Sequence, residues 1–433
     1  MHYTRHLSFS FVFLVGCESN GENGGATGAA TATTGMSMGA TGSSGVTDEP
    51  TVGSPICGDG IVQAPEACDD GDQVAQDGCE LDCTPTALLI WEVWPSGWWQ
   101  QYLSALCIDS GGDVALGAGV LPFESLDASR LVVSFTDAGV EKWRIAQNGL
   151  EPENLNSSGS VDRLNAVAID PMGRTIVCGD EHDAEIIDWV AVYGTNGELA
   201  WEHKEMAPLP GVKNECLGVV AGEAAVYAVG QYVTTQMGGS ERTGWVAKWD
   251  PKGTVLWQRE LPVVASLSAK TLLIVPSAHE EVVLAGGTAI HAISSSGDYL
   301  GAAGETSDDD YWSLLGRTDT GFAAIQHAPA GTWGVLFSFD GNVAEIDTQF
   351  DLDDDSGDSI NYVNDIAGNI YMISGTTITK YSATGGLQWV SPRIAPDPEL
   401  LRPEMAAMNA DGRLVVAGET QMHRIYLQAY TLQ

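Results

Sequence analysis

Positive charge is scarce in this chain. Lysine and arginine together number 19 of 433 residues against 58 aspartates and glutamates, a formal net charge of -39. Such a surface repels phosphate backbones and anionic lipid headgroups, which excludes nucleic acid as a partner. It suits divalent cations or basic partners. Contiguous catalytic signatures are missing too: there is no G-x-S-x-G elbow, Walker loop, H-E-x-x-H helix or Rossmann glycine fingerprint. Catalysis would have to be assembled from loops distant in sequence. The apolar stretch near the N-terminus, Leu7 to Val15, is too short to cross a bilayer and matches a signal-peptide core.

Eight cysteines are present, in three groups: Cys17; Cys57, Cys68, Cys79 and Cys83; and Cys107, Cys178 and Cys216. That clustering points to an oxidising compartment. Leu14-Val15-Gly16-Cys17 resembles a bacterial lipobox. The resemblance implies a signal peptide over 1–16 and Cys17 as the acylated first residue of the mature chain. Contact with the membrane is then through that lipid alone. Glu18 after the cysteine favours outer-membrane or cell-surface placement. Residues 17–56 are mostly Gly, Ala, Thr and Ser and read as a flexible linker. Its r.m.s. reach is about 35 Å.

The segment CGDGIVQAPEACDDGDQVAQDGCELDC opens a unit over 57–85. It resembles the short cysteine-rich repeat of large secreted myxobacterial-type proteins, with the CGDG, CDDG and DGC blocks in place. So small a segment needs disulfides among Cys57, Cys68, Cys79 and Cys83, and three pairings are open. Its acids are either calcium ligands or solvated turn residues.

From residue 86 the chain repeats. A turn glycine is followed four residues later by tryptophan: Gly139 and Trp143, Gly197 and Trp201, Gly253 and Trp257, Gly385 and Trp389. Gly297 and Gly341 keep the glycine only, so consecutive glycines lie 58, 56, 44, 44 and 44 residues apart. That period is one four-stranded propeller blade. In the second unit the strands fall at about 164–170, 174–181, 186–194 and 198–205. Six units are complete and a seventh, from Met405, stops one strand short; TALLIWEVW, with Trp91, supplies the missing strand. The expectation is all-β: a seven-bladed propeller over 86–433 whose last blade is closed by the N-terminal strand. The Gly-x-x-x-Trp ending resembles the repeat of pyrroloquinoline-quinone-type propellers and their non-enzymatic relatives. That resemblance implies that Trp91, Trp143, Trp201, Trp257 and Trp389 are pegs between blades. The quinone enzymes carry an adjacent Cys-Cys pair, and this chain has none.

Tight turns join the first to the second and the third to the fourth strand. The longer links, 120–128, 144–162, 231–243, 303–310 and 346–359, gather on the opposite face, where a partner site is expected. Asp351, Asp353, Asp355 and Asp358 resemble a calcium loop, the only cofactor suggested, with a solvated acidic loop as the alternative. Asp180, Glu181, His182 and Asp183 combine imidazole and carboxylate. Trp98, Trp99, Tyr311 and Trp312 offer aromatic surface. Cys107, Cys178 and Cys216 read as buried inert thiols, with one disulfide between adjacent blades as the alternative; either way an odd free thiol remains. The leading expectation is a monomeric, envelope-anchored binding or scaffolding module for a protein or glycan. The second is an extracellular hydrolase or lyase working through carboxylates or calcium.

Overall fold

A computed structural model describes residues 87–432, apart from 96–99, 122–128, 148–162, 183–185, 207–211, 223, 237–238, 262–271, 277–280, 288, 305–310, 340–343, 353–359, 375–376, 393–400 and 421–423, together with Cys57 and Cys79. The segment 1–56, with Cys17, and the knot cysteines Cys68 and Cys83 lie outside the described residues. Seven four-stranded antiparallel sheets make a seven-bladed β-propeller. The first strand, β1 (Ala87–Val93), belongs to the last blade. Blade 1 is β2 (Gln100–Ile108), β3 (Val114–Leu121), β4 (Ser129–Phe135) and β5 (Glu141–Gln147). Blade 2 is β6 (Arg163–Ile169), β7 (Thr175–His182), β8 (Ile186–Tyr193) and β9 (Leu199–Met206). Blade 3 is β10 (Val212–Ala221), β11 (Val226–Gln236), β12 (Gly239–Trp249) and β13 (Val255–Glu260). Blade 4 is β14 (Leu272–Pro276), β15 (Glu281–Ala285), β16 (Ile290–Ser294) and β17 (Tyr299–Ala303). Blade 5 is β18 (Tyr311–Arg317), β19 (Gly321–Ala328), β20 (Gly331–Phe339) and β21 (Ala344–Asp351). Blade 6 is β22 (Ile360–Asn364), β23 (Ile370–Ser374), β24 (Thr377–Tyr381) and β25 (Leu387–Pro392). Blade 7 is β26 (Leu401–Met408), β27 (Arg413–Thr420), β28 (Ile425–Leu432) and β1. The expected closure is therefore in place, with Ala87 opposite Leu432 and Val93 opposite Leu427.

Burial follows position in the blade. Middle strands are covered on both faces, so β16 (IHAIS) and β23 (IYMIS) are buried throughout. Outer strands splay into solvent; β13 (VLWQRE) buries Trp257 alone. The first strands touch one another around the ring and line the centre.

Each third-to-fourth strand pairing carries a register shift, including β28 with β1 in the last blade. In most blades it lies next to a turn glycine in the left-handed region, φ +75 at Gly139 and +86 at Gly253. This is the glycine-bulge turn, which matches the twist of the strands. The glycine is needed twice over. A Cβ on Gly253 would lie 2.7 Å from the Trp201 ring of the preceding blade, and one on Gly139 would lie 2.7 Å from Trp91. Trp143 on Gly197 and Trp257 on Gly297 repeat the contact. In three of these joints one turn carbonyl accepts two hydrogen bonds from the blade before. Asp137 O receives Trp91 Nε1 at 2.8 Å and Arg413 at 3.0 Å. Pro251 O receives Trp201 at 3.2 Å and Arg174 at 2.9 Å. Ser295 O receives Trp257 and Lys248, both at 2.9 Å.

Several expectations need correction. Residues 231–243 are not a loop: β11 and β12 stay paired from Val226 opposite Trp249 to Gln236 opposite Gly239 and form a long hairpin. Residues 346–351 belong to β21. At blade 5 the peg is Phe350, which fills the space over Gly385. The cysteines are not inert thiols and no odd thiol remains: Cys178 and Cys216 form a disulfide across the boundary of blades 2 and 3, with Cα atoms 5.8 Å apart, and Cys57, Cys79 and Cys107 are disulfide-bonded as well. No cysteine is free among the described residues.

Candidate functional site

The two faces of the ring differ in what they leave available. On the tight-turn face, glycines and carbonyls are committed to locking blades together. On the long-loop face, strand ends project side chains that the lock does not use. Two constellations stand there.

The first lies between blades 2 and 3. Asp180, Asp188 and Glu205 sit directly opposite one another on β7, β8 and β9, so three acids share one face of the sheet. Asp180 and Asp188 are buried, at 3% and 1% exposure. Asn165 Nδ2 donates to Asp180 at 3.2 Å and to the Cys216 carbonyl at 2.7 Å, which ties the acid row to blade 3 beside the disulfide. Burial pushes the Asp188 carboxyl up to about 7; Glu205 adds to the shift, and His203 and the Glu205 N–H oppose it. Tyr232 of β11 faces the same acids, and its hydroxyl is pushed up to about 12 by burial and by Glu205, Asp188 and Glu260. A carboxyl half-protonated near neutrality can give or take a proton. Glu181 and His182 lie at the end of β7, and Asp183 lies outside the described residues.

The second lies between blades 5 and 6. Tyr311 opens β18 and pairs with His327 near the end of β19, their rings stacked at 4.5 Å. His327 in turn meets the edge of Tyr362 on β22 at 6.4 Å, across the blade boundary. Tyr311 and His327 are half-buried and Tyr362 is buried. Burial lowers the His327 imidazole to about 4, so it is neutral at physiological pH, and it raises the Tyr311 phenol. Two residues along β18 on the same side stands Ser313, fully buried, whose hydroxyl has no hydrogen-bond partner among the described residues. Leu352, following β21, closes the cluster from blade 5.

Tyr311 thus falls in a constellation, whereas its neighbour Trp312 points the other way. It is buried against Leu273, Leu284 and Phe337 and donates to the Gly304 carbonyl. Asp351 is exposed at the end of β21. Asp353, Asp355 and Asp358, and Trp98 and Trp99, lie outside the described residues. No group of three or more metal-ligating side chains is placed to hold an ion among the described residues. Asp188, His327, Tyr362 and Ser313 were not singled out from sequence. Asp188 alone carried a signal, as an acid inside the apolar run IIDWVAV.

Residues 51–84 match a family described as a domain of unknown function, DUF4215. No curated protein matches the chain. Among solved structures, the chain is similar to the β-propeller domain of the Trilobed protease from Pyrococcus furiosus, at 12% identity and a TM-score of 0.44, covering 78% of this chain and 97% of that one. It is also similar to a gluconolactonase from Xanthomonas campestris, at 11% identity and a TM-score of 0.36, covering 79% and 89%. A rhamnogalacturonan lyase from Bacillus licheniformis gives 12% identity and a TM-score of 0.43, covering 83% and 74%.

Proposed function

We propose that this protein is a lipid-anchored binding module of a bacterial cell envelope. Cys17 carries the lipid, 17–56 is the tether, and the propeller presents its long-loop face to an envelope protein or glycan. One observation carries the reading. The turns of one face are committed to holding the blades together, while the opposite face offers the half-buried Tyr311–His327 pair against the buried Tyr362, beside a Ser313 hydroxyl with no hydrogen-bond partner among the described residues. Binding residues on loops and strand ends of a rigid scaffold are the usual arrangement.

A photo-crosslinking side chain at Thr332, which pairs with His327, tests it in cells carrying the full chain. Discrete adducts are expected there and not with the same probe at Met172, exposed on the tight-turn face. Adducts that are the same at both positions, or none, refute the reading. Replacement of Cys17 by serine is expected to abolish fatty-acid labelling and release the protein from membranes.

The second reading, a hydrolase or lyase on an extracellular polymer, is favoured by the Asp188 carboxyl poised near neutrality beside Glu205 and His203. A calcium ion held by Asp351, Asp353, Asp355 and Asp358 would belong to this reading. Polymer turnover that disappears in Asp188→Asn supports it; no turnover on a broad panel removes it.

A further inference from the structure

We propose that Trp94 is a stacking platform for a neutral glycan built of pyranose rings with equatorial substituents. Trp94 follows β1 where that strand reaches the long-loop face, beside the start of β28. It is 42% exposed, whereas every other tryptophan among the described residues is buried or half-buried. The indole is nevertheless held in place. Its Nε1 donates to Glu92 Oε1 at 2.7 Å, Gln428 Nε2 donates to Glu92 Oε2 at 2.7 Å, and the Tyr430 hydroxyl donates to Gln428 Oε1 at 2.8 Å. Gln428, Tyr430 and Tyr426 are fully buried, and the Trp94 ring lies 5.8 Å from that of Tyr426, tilted to it. Three hydrogen bonds thus run from the core of blade 7 out to an exposed ring. A ring fixed in this way spares a ligand the entropy of ordering it.

The groups around the indole select the ligand. An aromatic face is electron-rich. A pyranose with equatorial hydroxyls presents axial C–H bonds, weakly positive and free of polar atoms, so ring lies flat on ring. Glu92 is half-buried, and its carboxylate has lone pairs beyond the two it uses here. Arg424, exposed and two residues before Tyr426, carries only donors. A sugar hydroxyl donates and accepts, so neighbouring hydroxyls match both groups. A lipid chain or an apolar helix would leave both charged groups unmatched. The net charge of -39 repels an acidic polysaccharide.

Isothermal titration of the full-length protein with cellohexaose and with chitohexaose tests the proposal. Saturable binding of at least one is expected, insensitive to added salt. Affinity should fall about tenfold in Trp94→Ala and less in Trp94→Phe, which keeps a ring but not the bond to Glu92. Tyr299→Leu, at an exposed aromatic on the outer strand of blade 4, should change nothing. In the unaltered protein the bound oligomer should protect Trp94 from hydroxyl-radical oxidation, read by peptide mass spectrometry; this measurement decides the matter if Trp94→Ala does not fold. No binding of either oligomer, unchanged affinity in Trp94→Ala, or unchanged oxidation of Trp94 overturns the proposal. Trp94 stands beside blade 7 and the Tyr311–His327 pair on blade 5. Adducts at Thr332 with no bound oligomer therefore overturn the glycan platform and leave the binding-module reading intact; the converse result does the reverse.

Discussion

The shared turn carbonyl makes a quantitative prediction at the joint of blades 3 and 4. Ser295 O accepts Trp257 Nε1 and Lys248 Nζ, both at 2.9 Å. The Trp257 ring also packs over Gly297, with 9% of its surface exposed. Trp257→Phe keeps most of the packing and removes one donor, so it should cost about 1–2 kcal/mol, one hydrogen bond plus a small loss of contact. Lys248→Met removes the other donor and a cation over the Tyr227 ring at 5.0 Å, for about 1 kcal/mol. In either single variant the carbonyl keeps a partner. In the double variant both of these donors are gone, and the second loss adds about 1–2 kcal/mol beyond the sum. Urea unfolding of the four proteins, followed by tryptophan-independent far-ultraviolet dichroism, closes the cycle. Strict additivity would show that water replaces both donors and that the double acceptor is not a lock.

Removal of residues 87–93 should leave β28 with a bare edge and Tyr430 uncovered, and is expected to give an aggregating chain with no cooperative melt; an unchanged melting curve would refute the closure. Asp188→Asn should change how stability depends on pH. The folded Asp188 carboxyl is raised to about 7, so its contribution is complete below the unfolded value near 4 and is lost as pH rises through 7. Between pH 5 and pH 8 the wild type should therefore lose about 2–3 kcal/mol more than the variant, as read by urea titration at both values. Comparing the two proteins cancels His327, which acts in the opposite direction because its folded value is depressed and its contribution is lost below about 6.5. Reduction of Cys178–Cys216, or its replacement by a serine pair, closes no 38-residue loop and should cost about 3–4 kcal/mol in urea unfolding; an unchanged midpoint would show that the boundary is held by packing alone.

The ring was legible because its determinants are local and repeated. A glycine that must adopt positive φ and a tryptophan four residues on fix a turn and a peg in four of the blades, and the absence of one such strand after β28 leads directly to Trp91. Blade 5 hid its peg because Phe350 reaches the Gly385 niche from further along the strand than the usual spacing. The long hairpin of blade 3 was hidden by its polar residues, which read as loop although the ladder runs from Val226 to Gln236. The site was less legible. Tyr311 was visible singly, but His327 and Tyr362 join it only because β18, β19 and β22 meet at a blade boundary. No spacing rule within one repeat connects neighbouring repeats through their side chains. The disulfide was open for the same reason: Cys178 and Cys216 lie in different blades, and only the fold brings them together.

The pairing of β1 with β28 also bears on when this protein can become itself. Ala87 waits for Leu432, so the ring cannot close until β28 has been made, however well the earlier blades have formed. Six blades can gather as an open arc, but the joint between the seventh and the first is made last and all at once. A chain interrupted anywhere before β28 therefore keeps an exposed strand edge, which only the arrival of β28 beside β1 removes.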